Sequence, residues 1–388
     1  MAKMRILLVN PPWKLSVKSV YSKTGAIYAP LGLAYIAAYL KKSLDIDVDI
    51  LDARGLGLGF NEFQQELKKQ RYTLVGITSY TPTSEDAFTT ARIVKESDAK
   101  TSVIIGGPHA TILPDVVLSN PHVDVVVRRE GEDTFREVVH AVINQISLND
   151  IAGISFKEGG HIHHNPQRQL MADIDQIPFP AREKLPMHIY RPASGAYKRL
   201  PVTNIITSRG CPFNCSFCSK SIFGSHVRQV SPEMVLEEIK MLITNFKIKE
   251  LYFCDDSFTL GRKRCIEICE LMLKYNLDLT WSCSTRVNLV DTYLLKLMKR
   301  AGCVSIGYGV ESGDSQILAQ INKGISFGQI RDAIKWTRSA GIESRTSYIF
   351  GFPGENSDTM KKTFNFAKAL NSDFVIFNLA IPLPGTDI

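Results

Sequence analysis

Short apolar runs rich in Val, Ile and Leu alternate with amphipathic stretches along most of the chain. In the first half, residues 4–10 (MRILLVN), 48–53, 74–79, 103–107 and 124–129 read as strands. They are almost continuously apolar rather than alternating, which suits parallel strands covered on both faces. Helical periodicity fills the gaps at 31–43, 61–70, 84–97 and 132–144. Strand–helix alternation of this kind predicts a doubly wound α/β domain over residues 1–147.

The expected order is five-stranded and flavodoxin- or Rossmann-like, because ligand loops follow the strand ends. Residues 148–200 break the pattern. Two short segments, 154–157 (ISFK) and 161–164 (HIHH), flank Glu158-Gly159-Gly160 and predict a hairpin with a Gly-Gly turn. A passage with Pro178, Pro180, Pro186 and Pro192 then reads as an ordered linker. Alternation resumes with strands at 203–208, 249–255, 279–286, 304–310, 344–350 and 374–381. Helices lie between them at 231–246, 262–275, 291–301, 326–340 and 356–370. Six β/α units without the sixth helix predict a partial barrel over 201–388, with chemistry at the C-terminal strand ends.

The 388 residues are 44% hydrophobic and 22% charged, which excludes disordered, collagenous and low-complexity classes. A net charge of +7 permits an anionic partner without demanding nucleic acid, and none is expected. The best apolar run, residues 31–40, is about half the roughly 18 residues of a membrane-spanning helix. Residues 1–4 run straight into a strand, which predicts no signal peptide. Eight cysteines occur, none before Cys211. A secreted disulfide protein would not leave its first half empty, so a reducing cytoplasm and one specialised cysteine site are expected.

That site is Cys211-Pro-Phe-Asn-Cys215-Ser-Phe-Cys218, directly after the first barrel strand. Three thiolates spaced C-x₃-C-x₂-C can hold three irons of a [4Fe–4S] cluster and leave the fourth open. Zinc would want a fourth Cys or His with its own spacing. With Phe217 before the third cysteine, the segment resembles the radical S-adenosylmethionine (SAM) superfamily. The resemblance implies SAM bound to the open iron and cleaved reductively to a 5′-deoxyadenosyl radical. It also implies an external one-electron reductant of the flavodoxin or ferredoxin type.

Further strand ends match the same superfamily and imply SAM contacts. Asp255 or Asp256, in Phe253-Cys254-Asp255-Asp256, would accept from the SAM ammonium. Arg286 would pair with its carboxylate, and Glu311 would lie near the ribose. Gly351 and Pro353, in Phe350-Gly351-Phe352-Pro353-Gly354-Glu355, would lie against adenine. The remaining cysteines, Cys254, Cys265, Cys269, Cys283 and Cys303, read as small buried apolar residues.

In the first domain, loop residues cluster at five successive strand ends. They are Asn10 and Pro11; Asp52, Arg54 and Gly57; Ser79 and Thr81; Gly106, Gly107 and His109; Glu130 and Gly131. This set resembles the cobalamin-binding domain fused to radical SAM domains. In cobalt-ligating members the second loop reads Asp-x-His-x-x-Gly, whereas here Arg54 stands in the histidine frame. A guanidinium has no lone pair to give cobalt. The resemblance therefore implies base-off cobalamin without a histidine lower ligand from residues 52–57. His109, the one histidine near these loops, ordinarily reads as a surface or capping residue.

The resemblance covers nearly the whole chain, although related proteins run on beyond a position equivalent to Ile388. It implies a cobalamin-dependent radical SAM enzyme, a C-methyltransferase acting on an unactivated carbon of a small-molecule or lipid-like substrate. A second SAM would remethylate the cobalamin. Two alternatives remain: an oxidative cyclase or ring-rearranging enzyme of the anaerobic magnesium-protoporphyrin ester cyclase type, and a non-catalytic cobalamin-binding protein.

Overall fold

A computed structural model describes residues 5–13 and 25–388. Residues 1–4, and with them the start of the first expected strand and the signal-peptide reading, lie outside the described residues. The chain divides into two compact units. The first comprises residues up to 172, 176–194 and 221–223; the second comprises 173–175, 195–220 and 224–388.

The first unit is built on a seven-stranded sheet. Its parallel part consists of β1 (Ile6–Asn10), β2 (Val48–Asp52), β3 (Leu74–Thr78), β4 (Ser102–Gly106) and β5 (Val125–Val127). Their order is β2-β1-β3-β4-β5, the doubly wound order expected from the sequence. Successive side chains point to opposite faces, so the apolar run of β1 feeds two cores. Ile6 and Leu8 join Leu33, Leu40, Phe135 and Val138 on one face. Leu7 and Val9 join Phe63, Ala87, Ala91 and Val117 on the other. The first face is covered by α1 (Leu31–Leu44) and α6 (Glu132–Asn144). The second is covered by α2 (Phe60–Lys68), α3 (Ser84–Ser97) and α5 (Pro114–Ser119). Each fully buried large apolar side chain contributes roughly 1.5–3 kcal/mol, which fixes the register.

Two features depart from expectation. A short α4 (Pro108–Ile112) and α5 lie between β4 and β5. Each is one or two turns long and opens on proline, too short for a periodic signal. The 154–164 hairpin is not part of a linker. Its strands β6 (Ile154–Glu158) and β7 (His161–His164) extend the first sheet antiparallel beyond β5. Ile154 and Phe156 are buried in the first core, and that burial recruits the hairpin.

The second unit holds β8 (Val202–Ile205), β11 (Glu250–Phe253), β12 (Thr280–Thr285), β13 (Cys303–Glu311), β14 (Glu343–Phe350) and β15 (Phe374–Leu379). They pair parallel and in chain order, from β8 at one edge to β15 at the other. A separate two-residue ribbon joins β9 (Ser208–Arg209) to β10 (Arg228–Gln229). Helices α7 (Pro232–Phe246), α8 (Arg262–Lys274), α9 (Thr292–Arg300), α11 (Phe327–Ser339) and α12 (Ser357–Leu370) follow successive strands. A short α10 (Ser315–Gln320) follows β13.

Outward residues of the strands, among them Phe253, Trp281, Cys283, Ile306, Tyr308 and Tyr348, form one core with the helices. Cys265, Cys269, Cys283 and Cys303 are buried there, as expected, while Cys254 is only half-buried. The expected helix starts at 231, 291, 326 and 356 are in fact the N-cap residues. Ser231, Asp291, Ser326 and Asn356 each accept from a first-turn amide. Among the described residues, no helix is long and apolar enough to cross a membrane.

Candidate functional site

In the second unit, the cysteine loop leaves the sheet after β8 and is tied at its base by the β9–β10 ribbon. Gly210 sits at φ +92, and a Cβ there would lie 2.2 Å from the His226 carbonyl, so the turn into Cys211 needs glycine. Cys211 N donates to Gly224 O at 3.2 Å, and Cys218 N to Cys215 O at 3.1 Å. Lys220 Nζ binds the Phe213 carbonyl at 3.0 Å and Asn214 Oδ1 at 2.6 Å. All three thiols are free; Cys218 is exposed and the other two are half-buried.

Partial desolvation within the loop pushes the Cys218 thiol up, and Asp256, Cys211 and Cys215 beside it push the same way. Thiolates gathered in this way repel one another unless a cation holds them. Among the described residues, no three His, Cys, Asp or Glu side chains could hold a single metal ion. The donor set suits a cluster in which each thiolate binds a different iron.

The strand ends that follow surround this loop. Arg286, after β12, is buried. Its Nη1 lies 3.4 Å from Cys215 Sγ, and its guanidinium stacks 3.8 Å from the Phe213 ring centroid. Its Nη2 donates to the Lys323 carbonyl. Glu311 ends β13 at φ +70 and forms a 2.7 Å ion pair with Lys323 Nζ, both side chains being 7% exposed. A Cβ on Gly309 would lie 2.3 Å from Glu311 Oε1 and 2.9 Å from Lys323 Nζ, so this glycine makes room for the pair. Lys323 Nζ lies 5.7 Å from the Phe217 ring centroid, and Phe217 packs on Phe352 at 5.5 Å. Gly351 stands at φ +96, and its amide and that of Phe352 donate to Glu355 Oε2 at 2.5 and 3.2 Å. Pro353 beside them is exposed.

The two aspartates separate. Asp255 is buried and fully engaged: Thr207 N and Oγ1 each donate to it at 2.6 Å, and Ser208 Oγ at 2.8 Å. Arg264, whose charge also acts on Asp255, binds the Thr207 and Val230 carbonyls at 2.9 and 2.6 Å. Asp255 therefore locks the strand that enters the cysteine loop, and its oxygens are spent within the protein. Asp256 is exposed beside Cys218; partial desolvation of its carboxyl, then the Asp255 charge, push its pKa up.

In the first unit, Asp52 is likewise engaged internally. It accepts from Asn10 Nδ2 at 2.7 Å, Gly55 N at 2.9 Å and Tyr190 OH at 2.9 Å. The next loop residue but one, Arg54, is held with its guanidinium 4.1 Å from the Trp13 ring centroid. Gly57 adopts φ +68, and Pro11 is buried. Glu130 and Gly131 lead into α6; a Cβ on Gly131 would meet Ile36 at 2.9 Å, so this glycine serves helix packing.

Ser79, Thr81, Gly107 and His109 come together. Gly107, directly after Gly106 at the end of β4, has φ +98, and its Cβ would lie 2.7 Å from Ser79 O. His109 N donates to Ser79 O at 3.2 Å, and His109 Nδ1 lies 3.2 Å from Thr81 Oγ1. His109 is buried, not at the surface, because the glycine turn folds α4 back onto β3. Ser79 Oγ and His109 Nε2 are buried without a partner. A glycine-lined strand end with unsatisfied buried polar atoms fits a ligand such as the cobalamin tail. Gly107→Ala is expected to cost about 1–3 kcal/mol by forcing a strained backbone. A lower thermal midpoint with unchanged far-UV circular dichroism would show it.

Two family descriptions match the chain: the radical SAM superfamily over residues 205–367 and the B12 binding domain over residues 17–139. An uncharacterized methyltransferase of Pyrococcus horikoshii is 41% identical over the whole chain and 82% of its own length. The chain belongs to the B12-binding radical SAM family. It is an enzyme of the cobalamin-dependent, methyltransferase-like type. The anaerobic magnesium-protoporphyrin IX monomethyl ester cyclase of Rubrivivax gelatinosus is 30% identical over 99% of this chain and 69% of its own. The fold is shared with the methyltransferase TsrM from Kitasatospora setae, at TM-score 0.80 and 18% identity over 99% of this chain and 74% of that one. It is also shared with OxsB, at TM-score 0.79 and 22% identity over 94% of this chain and 52% of that one.

Lys323 and Tyr190 are residues that sequence reasoning missed. Lys323 lies in a loop with no motif of its own; only the burial of Glu311 demands a cation there. Tyr190 sits in the proline-rich passage, 138 residues from Asp52, and no local pattern joins them.

Proposed function

We propose that this enzyme is a C-methyltransferase acting on an unactivated carbon of a small-molecule or lipid-like substrate. The observation that carries the reading is the convergence of the three free cysteines, Arg286 and the buried Glu311–Lys323 pair at successive strand ends. Cys211, Cys215 and Cys218 would hold a [4Fe–4S] cluster. When bound, cluster and SAM supply a 5′-deoxyadenosyl radical, and cobalamin supplies the methyl group.

The chain's own part is placement. Asp256 accepts from the SAM ammonium, and Arg286 pairs with the carboxylate. Glu311 accepts from the ribose hydroxyls, its charge balanced by Lys323. Phe217, Gly351 and Pro353 border the adenine. In the first unit, Ser79, Thr81, Gly106, Gly107 and His109 take the cobalamin tail. Arg54, pinned on Trp13, would contact bound cobalamin without ligating cobalt. Asn10, Asp52 and Tyr190 fix the shape of that loop. Free cysteines throughout suit a cytoplasmic enzyme fed by a flavodoxin- or ferredoxin-like reductant.

Methyl-labelled SAM, supplied anaerobically with a reductant, tests the reading. Label in the corrinoid fraction, together with 5′-deoxyadenosine, is expected. A cyclase reading is favoured by the 30% likeness to the Rubrivivax cyclase, and it predicts 5′-deoxyadenosine with no label transfer. Coordination is tested by electron paramagnetic resonance of bound cob(II)alamin. The wild type is expected to show no splitting from a coordinated nitrogen. Arg54→His is expected to introduce that splitting, because imidazole then replaces a group with no lone pair. Nitrogen splitting in the wild type would contradict the base-off assignment.

A further inference from the structure

We propose that His109 reads the nucleotide tail of cobalamin by donating its Nε2–H to the ring nitrogen that the tail base exposes once it has left cobalt. The proposal rests on the cobalamin reading above.

Gly107 takes φ +98 against Ser79, and this turn carries His109 into the interior, where it is 5% exposed. One ring nitrogen is accounted for: Nδ1 lies 3.2 Å from the Thr81 hydroxyl. The other, Nε2, is buried and meets no partner, and neither does the fully buried Ser79 hydroxyl on the adjoining strand end. A buried polar atom without a partner costs about 1–3 kcal/mol. The site keeps two within one corner, as an incomplete hydrogen-bonding surface does.

Burial lowers the pKa of His109, with the Glu85 charge pulling the other way, so the ring is neutral near pH 7. A neutral imidazole has one donor and one acceptor nitrogen. We assign the tautomer in which the Thr81 hydroxyl donates to Nδ1 and the proton sits on Nε2, because Nδ1 is the nitrogen with a partner at hand. The missing partner is then an acceptor able to enter a buried, partly aromatic corner where Phe88 meets the His109 ring edge-on at 6.3 Å. An uncharged heterocyclic nitrogen fits both requirements. On this account His109 is satisfied only by the base-off cofactor, so it helps to select that state.

The test compares two corrinoids on the full chain with its cluster reconstituted. Cobalamin carries the ring nitrogen. The p-cresolyl cobamide keeps the ribose and phosphate but has no base nitrogen. Equilibrium dialysis, read by corrin absorbance, gives both affinities for the wild type, His109→Phe and His109→Gln. His109→Phe is expected to weaken cobalamin about tenfold, the worth of one buried hydrogen bond, and the cobamide by less than about twofold. His109→Gln, which keeps a donor, should lose less. Equal weakening of both corrinoids would move the contact to phosphate, ribose or mere packing and overturn the proposal. So would unchanged cobalamin binding in His109→Phe. A wild type that binds neither corrinoid would instead defeat the cobalamin reading itself. A thermal midpoint for each variant within a few degrees of wild type separates contact loss from misfolding.

Discussion

Lys323→Met is expected to destabilise the second unit by about 3–5 kcal/mol and to abolish measurable SAM binding. The pair it breaks is buried on both sides, with Lys323 Nζ 2.7 Å from Glu311 Oε1. Removing one member of a buried pair leaves the other charge uncompensated, and that penalty, not the lost attraction, dominates. Glu311 is further committed by its backbone, held at φ +70, and by Gly309, whose missing Cβ leaves space for its carboxylate. It cannot swing to water without disturbing both. Chemical denaturation measures the first effect. The double variant Glu311→Gln/Lys323→Met separates the two: it removes both charges and should recover most of the stability while SAM binding stays lost. Recovery of SAM binding in the double variant would exclude the carboxylate from cofactor recognition.

Asp255→Ala is the second large effect. It strips the Thr207 amide, the Thr207 hydroxyl and the Ser208 hydroxyl of their common acceptor and leaves Arg264 without its nearby buried anion. Three buried donors left unpaired at about 1–3 kcal/mol each amount to several kcal/mol. The damage falls on the strand that delivers Cys211. The iron bound after anaerobic reconstitution is expected to fall by more than about half, alongside the lost stability. Asp256→Asn is the contrast, because that carboxyl is exposed beside Cys218. It should retain iron and stability and weaken SAM alone. Iron retention by Asp255→Ala would contradict the assignment of this residue to positioning.

The same two aspartates show how far the sequence could be read. Adjacent acidic residues at a strand end are visible as candidates, but which one has spent its oxygens depends on Thr207 and Ser208, some fifty residues upstream. The strands were legible because parallel strands buried on both faces write continuous apolar runs, as β1 does with Ile6 through Val9. Helix starts were legible to within a residue because Ser231, Asp291, Ser326 and Asn356 are chemical caps.

What escaped was tertiary. The 154–164 hairpin looks like any Gly-Gly hairpin until Ile154 and Phe156 find the first core. The buried place of His109 follows from one glycine turn. Asn10 and Asp52 stand at ligand-facing strand ends, yet they bind each other and, through Asp52, Tyr190. Long-range partners of this kind leave no periodic trace.

One chain is expected to carry an open-iron cluster in its second unit and cobalamin in its first. Anaerobic reconstitution with iron, sulfide and hydroxocobalamin, followed by metal analysis of wild type and Cys215→Ala, tests it most directly. About four irons and one cobalt per wild-type chain are expected, with iron lost and cobalt kept in the variant. Iron without cobalt in the wild type, or unchanged iron in Cys215→Ala, would contradict it.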